Sequence, residues 1–328
     1  FEAERPLVIA SARKNGADVR GDKAFDLHGD PPAWLDLRRR QMAATHRVGD
    51  TIPHIRADIG PVAVAAFVGA PIHFSREQDT SWQEPIIESW ASRRRLALAE
   101  DNAAFLRVMR LLEAIVSDAR GRYLACMPDM TGAIDVLANL RGSERLCFDL
   151  MDDPTPIAKA AAEVLDAWEF AHAAIYRATV GRGVGLVQWV SCWSDVPYVV
   201  PTCDFNALIG EDDFRRHCLP SLAEQARRCG RCCFHLDGPA AARHARALAE
   251  EPAITAIQYT CGAGTPSAVA MLPMFRMVQS YRKPMLITVP AHEVDEVVES
   301  LDPRGLAMWV EGIESPRHAD AIAARVCR

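Results

Sequence analysis

Three features of this 328-residue chain point to a closed (β/α)₈ TIM-type barrel with an irregular N-terminal segment. Six consecutive strand-then-helix patterns run from Tyr123 to Val326, the mark of a parallel sheet covered by helices. One or two more strands from the first 70 residues bring the count to seven or eight. No glycine-rich phosphate loop follows the first strand, which weighs against the alternative of an open doubly wound sheet. The length fits one barrel of about 250 residues with decoration, although roughly 150 residues per domain would also permit two domains. One domain over 1–328 is the expectation, with 1–60 as N-terminal decoration.

Pro6 to Ala10 reads as a short apolar strand and Ala33 to His46 as a helix. Pro61 to Val68 is an apolar run bounded by Gly60 and Gly69. The pattern from Ile86 to Ala119 is helical, because Phe105, Met109, Leu112 and Ile115 recur at the spacing of one helix face. Strands are then expected at Tyr123–Met127, Val184–Val190, Cys232–Leu236, Ile254–Tyr259, Met285–Val289 and Leu306–Val310. The helices between and after them are Pro156–Val180, Asp212–Arg228, Ala240–Ala249, Ser267–Tyr281, His292–Ser300 and Pro316–Val326. Arg38-Arg39-Arg40 and Arg93-Arg94-Arg95 sit in helical patterns and read as solvated faces. Asp152-Asp153 before Pro154 reads as a helix-start cap.

The hydrophobic fraction of 49% and charged fraction of 24% exclude wholesale disorder and a polytopic membrane protein. The longest nearly apolar stretch, Pro61 to Ile72, is too short to span a bilayer. A net charge of −6 without long blocks of like charge excludes a nucleic-acid arm and a polybasic membrane patch. The opening Phe1-Glu2-Ala3-Glu4-Arg5 lacks the character of a secretory leader, so a cytoplasmic location and reduced thiols are expected. The ten cysteines then divide between buried small side chains and candidate ligands or nucleophiles.

In a parallel barrel the reactive groups lie at the carboxyl ends of the strands. Those ends carry Asp129, Ser191-Cys192-Trp193, Cys203-Asp204, His235-Leu236-Asp237, Cys261 and Glu311. His235 and Asp237 are two apart on a strand and face one side together, so they can share a metal or act as an acid/base pair. The alternative is a buried histidine paired with an aspartate that caps the next helix. Asp129, Asp204 and Asp237 are the acid/base candidates. Cys229-x-x-Cys232-Cys233 has no second cysteine pair at finger spacing, and reads as ordinary thiols with Cys232 and Cys233 on opposite sides of a strand. Trp82, Trp189, Trp193, Tyr198 and Tyr259 fall near loops or strand ends, where they can line a pocket for a flat or methylated ligand or simply pack the core.

The run Phe234-His235-Leu236-Asp237-Gly238-Pro239, with Ala256-Ile257-Gln258-Tyr259 and Gly262-Ala263-Gly264, resembles the uroporphyrinogen decarboxylase-like superfamily. Gly60-Pro61 through Gly69, Thr80-Ser81-Trp82, Asp135 through Gly142, Cys203-Asp204-Phe205 and Glu311-Gly312 agree with it, from about Arg5 to Ala324. The resemblance implies a barrel with a funnel at the strand ends. The superfamily holds true decarboxylases and zinc methyltransferases that move methyl groups between corrinoids or methylated donors and thiols. The methyltransferase branch carries His-x-Cys where this chain has His235-x-Asp237, which implies a metal harder than in the thiolate-rich site, or none. Cys203, Cys261 or Glu311 would complete the metal set, and Gln258 and Tyr259 join the substrate-binding candidates.

The arginine-rich N-terminal segment of true decarboxylases is not found, Arg13 standing without its surroundings. The favoured expectation is therefore a metal-dependent methyltransferase or demethylase, with a divalent metal (zinc first) and a corrinoid as co-substrate. The alternatives are a decarboxylase acting on a tetrapyrrole or other carboxylated molecule, and a non-catalytic corrinoid-binding barrel. The corrinoid-carrier motif Asp-x-His-x-x-Gly is missing, so a corrinoid would arrive free or on a partner protein. Beyond that, a small-molecule substrate is expected, nucleic acid and membrane are not, and a homodimer is an open option.

Overall fold

The computed structural model describes residues 4–14, 25–75, 80–262 and 267–327. Ala263 and Gly264 of the glycine motif lie outside them. Among the described residues eleven strands are formed: β1 (Leu7–Arg13), β2 (Thr45–Gly49), β3 (His54–Arg56), β4 (His73–Ser75), β5 (Thr80–Trp82), β6 (Leu124–Cys126), β7 (Leu186–Val187), β8 (Cys233–Asp237), β9 (Ala256–Thr260), β10 (Met285–Pro290) and β11 (Leu306–Glu311). The order β1-β11-β10-β9-β8 is parallel throughout, and so is β3-β6-β7. These eight parallel strands are joined by helices, as the alternating pattern requires. β2 returns antiparallel along β1, and β4–β5 form a separate hairpin.

The pairing traces two arcs. Residues 199–202 extend the larger one, pairing parallel to β8 at Val199–Cys232 and Thr202–His235. They approach the smaller arc where Gln188 Nε2 donates to Tyr198 O at 2.5 Å. Among the described residues no ladder joins β3 to β1. The expected strand Val184–Val190 contracts to two residues, because Ser191 turns back on Gln188 (N to O 2.9 Å) with a positive φ of 62°.

Alternation along the strands separates two cores. Ile9, Val200, Cys233, Ala256, Leu286 and Ala307 pack together inside the sheet. Cys232, Phe234, Leu236, Ile257 and Tyr259 face outward into the larger core beneath the helices. Cys232 and Cys233 thus lie on opposite sides, as their sequence positions require. One step toward the carboxyl ends, the inward positions turn polar, with His235 beside Gln258 and Asp237 beside Thr260.

The expected helix Ile86–Ala119 begins only at Ala103, where Asn102 Oδ1 caps it by accepting from Phe105 N at 2.9 Å. Side chains satisfy the irregular backbone before it. Arg141 donates to Ile87 O and Glu88 O, and Glu163 accepts from Leu96 N. Arg93 is therefore not on a solvated helix face; it is largely buried and paired with Glu163 at 2.6 Å. Two helices that the pattern did not predict, Ala133–Arg141 and Ser143–Asp152, follow β6. Asp152 ends the second of them, and the next helix, Thr155–Thr179, has Pro154 at its N-cap position, with Asp153 just before it accepting from Thr155 N at 3.0 Å.

His172 on that long helix is stacked between Trp168 and Tyr176, with centroids 5.0 and 6.4 Å away. Burial lowers its pKa from 6.5 to about 4. Between those values the unfolded chain holds the proton and the folded chain does not, so acid favours unfolding. Stability should fall as pH drops from 6.5 toward about 4, by up to ~3 kcal/mol from this group. Urea titrations of wild type and His172→Gln over that range check it; equal slopes with pH would contradict it.

Candidate metal centre

Asp204, His235 and Asp237 come together at the strand ends, each with a potential ligand atom within 4.8 Å of the others. His235 and Asp237 meet because they share the inward side of β8. Asp204 arrives from the next segment, as the first residue of a 3₁₀ helix, Asp204–Leu208, directly after the Thr202 bridge to His235. The capping alternative for Asp237 is not realised: its side chain makes no cap hydrogen bond to the helix Gly238–Ala241.

Asp204 is held by a buried anchor that the sequence reading did not single out. Asp135, on the helix Ala133–Arg141, accepts from Asp204 N at 2.9 Å and Phe205 N at 3.0 Å. It also accepts from Thr202 Oγ1 at 2.6 Å and Thr131 Oγ1 at 3.1 Å. Gly132 permits this approach, since a Cβ there would lie 2.3 Å from Thr202 O. Burial first, then the charges of Asp135, Asp237 and Asp129, push the Asp204 carboxyl up to about 7. Carboxylates crowded this way favour a cation among them.

His235 is oriented from behind. Its Nδ1 hydrogen-bonds Gln258 Oε1, and Gln258 Nε2 donates to Thr260 Oγ1 at 2.7 Å. With the amide spent on Thr260, its oxygen accepts from Nδ1–H, which leaves the Nε2 lone pair for a ligand. Trp189 packs edge-on against the ring at 4.9 Å. Burial lowers the His235 pKa, keeping the neutral imidazole that metal ligation needs. Replacing Gln258 with leucine should weaken metal binding about 10- to 100-fold, as loss of an orienting partner does elsewhere. Calorimetric zinc titration of the variant reads this; an unchanged affinity would remove Gln258 from that role.

A cavity of about 380 Å³ opens beside the cluster, lined by Pro61, Val62, Asp129, Asn139, Trp189 and Phe205 among others. Asp129, Asp204, His235 and Trp189 thus meet around the cavity beside Asp237, and Gln258 reaches it through His235. The other expected residues lie elsewhere. Cys203 is buried just before the 3₁₀ helix with its free thiol hydrogen-bonded to that of Cys218, which together with burial raises its pKa. Cys261 sits 3.9 Å from Thr288 O, its pKa raised by burial and by Glu293 and Glu311. Neither cysteine nor Glu311 joins the three-residue cluster. Tyr259 points to the outer core against Phe275 at 5.4 Å, because it alternates with the inward Gln258. Trp82 is 46% exposed and stacks on His73. Trp193 and Tyr198 line a different cavity.

The chain is similar in structure to a methyltransferase from Methanosarcina mazei, with a TM-score of 0.61 over 97% of this chain and 93% of that one. The shared feature is a mixed α/β fold. At 14% identity the likeness concerns architecture and leaves the chemistry to the site. No protein-family model and no curated protein matches the chain. No helix among the described residues is long and apolar enough to cross a membrane.

Proposed function

We propose that this chain is a metal-dependent methyl-transfer enzyme on a uroporphyrinogen decarboxylase-like (β/α)₈ barrel. The convergence of Asp204, His235 and Asp237 at the strand ends carries the reading. The near-full-length likeness to a methyltransferase supports it. Two carboxylates and one imidazole suit a divalent cation such as zinc and leave positions for a further ligand. When bound, that cation would supply Lewis acidity toward a donor or acceptor atom. His235 would offer Nε2, Asp204 and Asp237 one oxygen each, and Asp129 would orient the substrate from the adjoining cavity wall. Trp189 would shield the imidazole from water. A corrinoid, free or on a partner protein, is the proposed co-substrate, with a thiol as the alternative acceptor.

The lyase alternative fits the cavity less well. No lysine or arginine is among its described lining residues, whereas Asp129, Asp135 and Asp204 are. Surplus negative charge repels a substrate bearing several carboxylates.

The test is methyl transfer from methylcobalamin to a small thiol by zinc-loaded protein, alongside metal analysis. Transfer that needs stoichiometric metal and disappears in Asp237→Ala supports the reading. Metal-free protein that transfers equally well, or release of carbon dioxide from uroporphyrinogen instead, overturns it.

A further inference from the structure

Trp193 and Tyr198 wall a second cavity, of about 150 Å³, together with His172, Tyr176, Gln188 and Asp195. It is distinct from the metal-site cavity, yet near it in the chain: Gln188 lines this one and Trp189 the other. Two observations set it apart from ordinary packing. Trp193 is 55% exposed, although a large aromatic side chain is normally kept from water. The loop that carries it is launched by Ser191, a non-glycine residue at φ 62°, in a backbone region that L-residues rarely adopt. Tyr198 contributes its carbonyl, which accepts from Gln188 Nε2 at 2.5 Å, while its ring packs with the inner core and its hydroxyl donates to Cys192 O.

The lining also has a sign. Asp195 supplies a carboxylate at the rim, and its nearest cation, Arg231, stands 3.7 Å away with both side chains largely exposed. Such a pair is weak and separable. No lysine or arginine lines the cavity among the described residues. His172 adds no positive charge near neutral pH, since burial lowers its pKa to about 4. Electron-rich rings with one acidic rim group attract organic cations and offer nothing to an anion.

We propose that this cavity binds a small organic cation of the alkylammonium class, seated between Tyr176 and Trp193 with Asp195 at its rim. The size agrees, because a cavity of about 150 Å³ admits a ligand as large as benzene. A compact trimethylammonium head therefore fits, and a tetrapyrrole or nucleotide does not. The proposal stands apart from the metal reading and uses none of its residues.

Calorimetric titration of the full chain with choline tests it. The comparison ligand is the uncharged isostere in which a tert-butyl group replaces the trimethylammonium group. Choline should bind saturably, one per chain, and the isostere at least about tenfold more weakly. Trp193→Ala should weaken choline about tenfold or more, and Asp195→Asn a few-fold, with melting temperatures unchanged because both side chains are exposed. Trp189→Ala and His235→Ala should leave choline binding as it is. Absence of saturable binding, equal binding of the isostere, or full retention of binding in Trp193→Ala overturns the proposal. Loss of binding in Trp189→Ala does so too, by placing the cation in the metal-site cavity.

Discussion

Asp135→Ala should lower the melting temperature by several degrees and at the same time disable metal binding. The carboxylate accepts four hydrogen bonds, from the backbone N–H groups of Asp204 and Phe205 and the hydroxyls of Thr131 and Thr202. Alanine leaves these donors behind in a site where Phe205, Thr131 and Thr202 are all buried. Each unsatisfied buried donor costs about 1–3 kcal/mol, so a loss of ~3 kcal/mol or more is expected. At about 2 °C per kcal/mol for a chain of this size, the melting temperature should drop by roughly 6 °C or more. The 3₁₀ helix that starts at Asp204 would also lose its tether, moving one of the three donors away from His235 and Asp237. Thermal melts and zinc titrations of the same preparation read both effects. A variant with wild-type stability and affinity would show that the tether is dispensable.

His235→Ala carries the largest expected effect on function. Loss of an orienting neighbour already weakens a metal site about 10- to 100-fold, so removal of the ligand itself should exceed about 100-fold. Methyl transfer should fall with it. Folding should survive, because His235 is only partly buried and its strand neighbours Phe234 and Leu236 keep the outer core intact. A melting temperature close to wild type, together with lost metal, separates this outcome from simple unfolding. Retained affinity would mean that the cation, if bound, sits elsewhere.

The strand–helix alternation was legible because each parallel strand from β6 to β11 carries its own apolar run. The run at Val184–Val190 promised more than it delivers, since the turn at Ser191 breaks it after two paired residues. Helical spacing in Phe105, Met109, Leu112 and Ile115 was real, but it said nothing about where the helix starts; Asn102 decides that, and arginine side chains hold the extended chain before it. In the site, the period of two along β8 sufficed to put His235 and Asp237 on one side. The same rule, applied to β9, separates Gln258 from Tyr259, and would have kept Tyr259 out of the pocket.

Cys203, Cys261 or Glu311 was expected to complete the metal set in place of the missing His-x-Cys thiol. Cys203 was a near miss by one residue: the chain turns at the start of the 3₁₀ helix, so Asp204 faces the cluster while the thiol packs against Cys218. Asp135 left one readable trace, a single acid inside the otherwise apolar run Ala133-Ile134-Asp135-Val136-Leu137. A charge on the buried side of a helix needs partners, and only the folded chain shows that they are Thr131, Thr202 and the backbone of Asp204 and Phe205.

The central claim is that Asp204, His235 and Asp237 hold a divalent cation without help from cysteine. X-ray absorption at the zinc edge of metal-loaded protein tests it most directly. The prediction is one zinc per chain with a shell of nitrogen and oxygen at about 2.0–2.2 Å only. A sulfur shell at about 2.3 Å, or protein that retains no zinc, would contradict it.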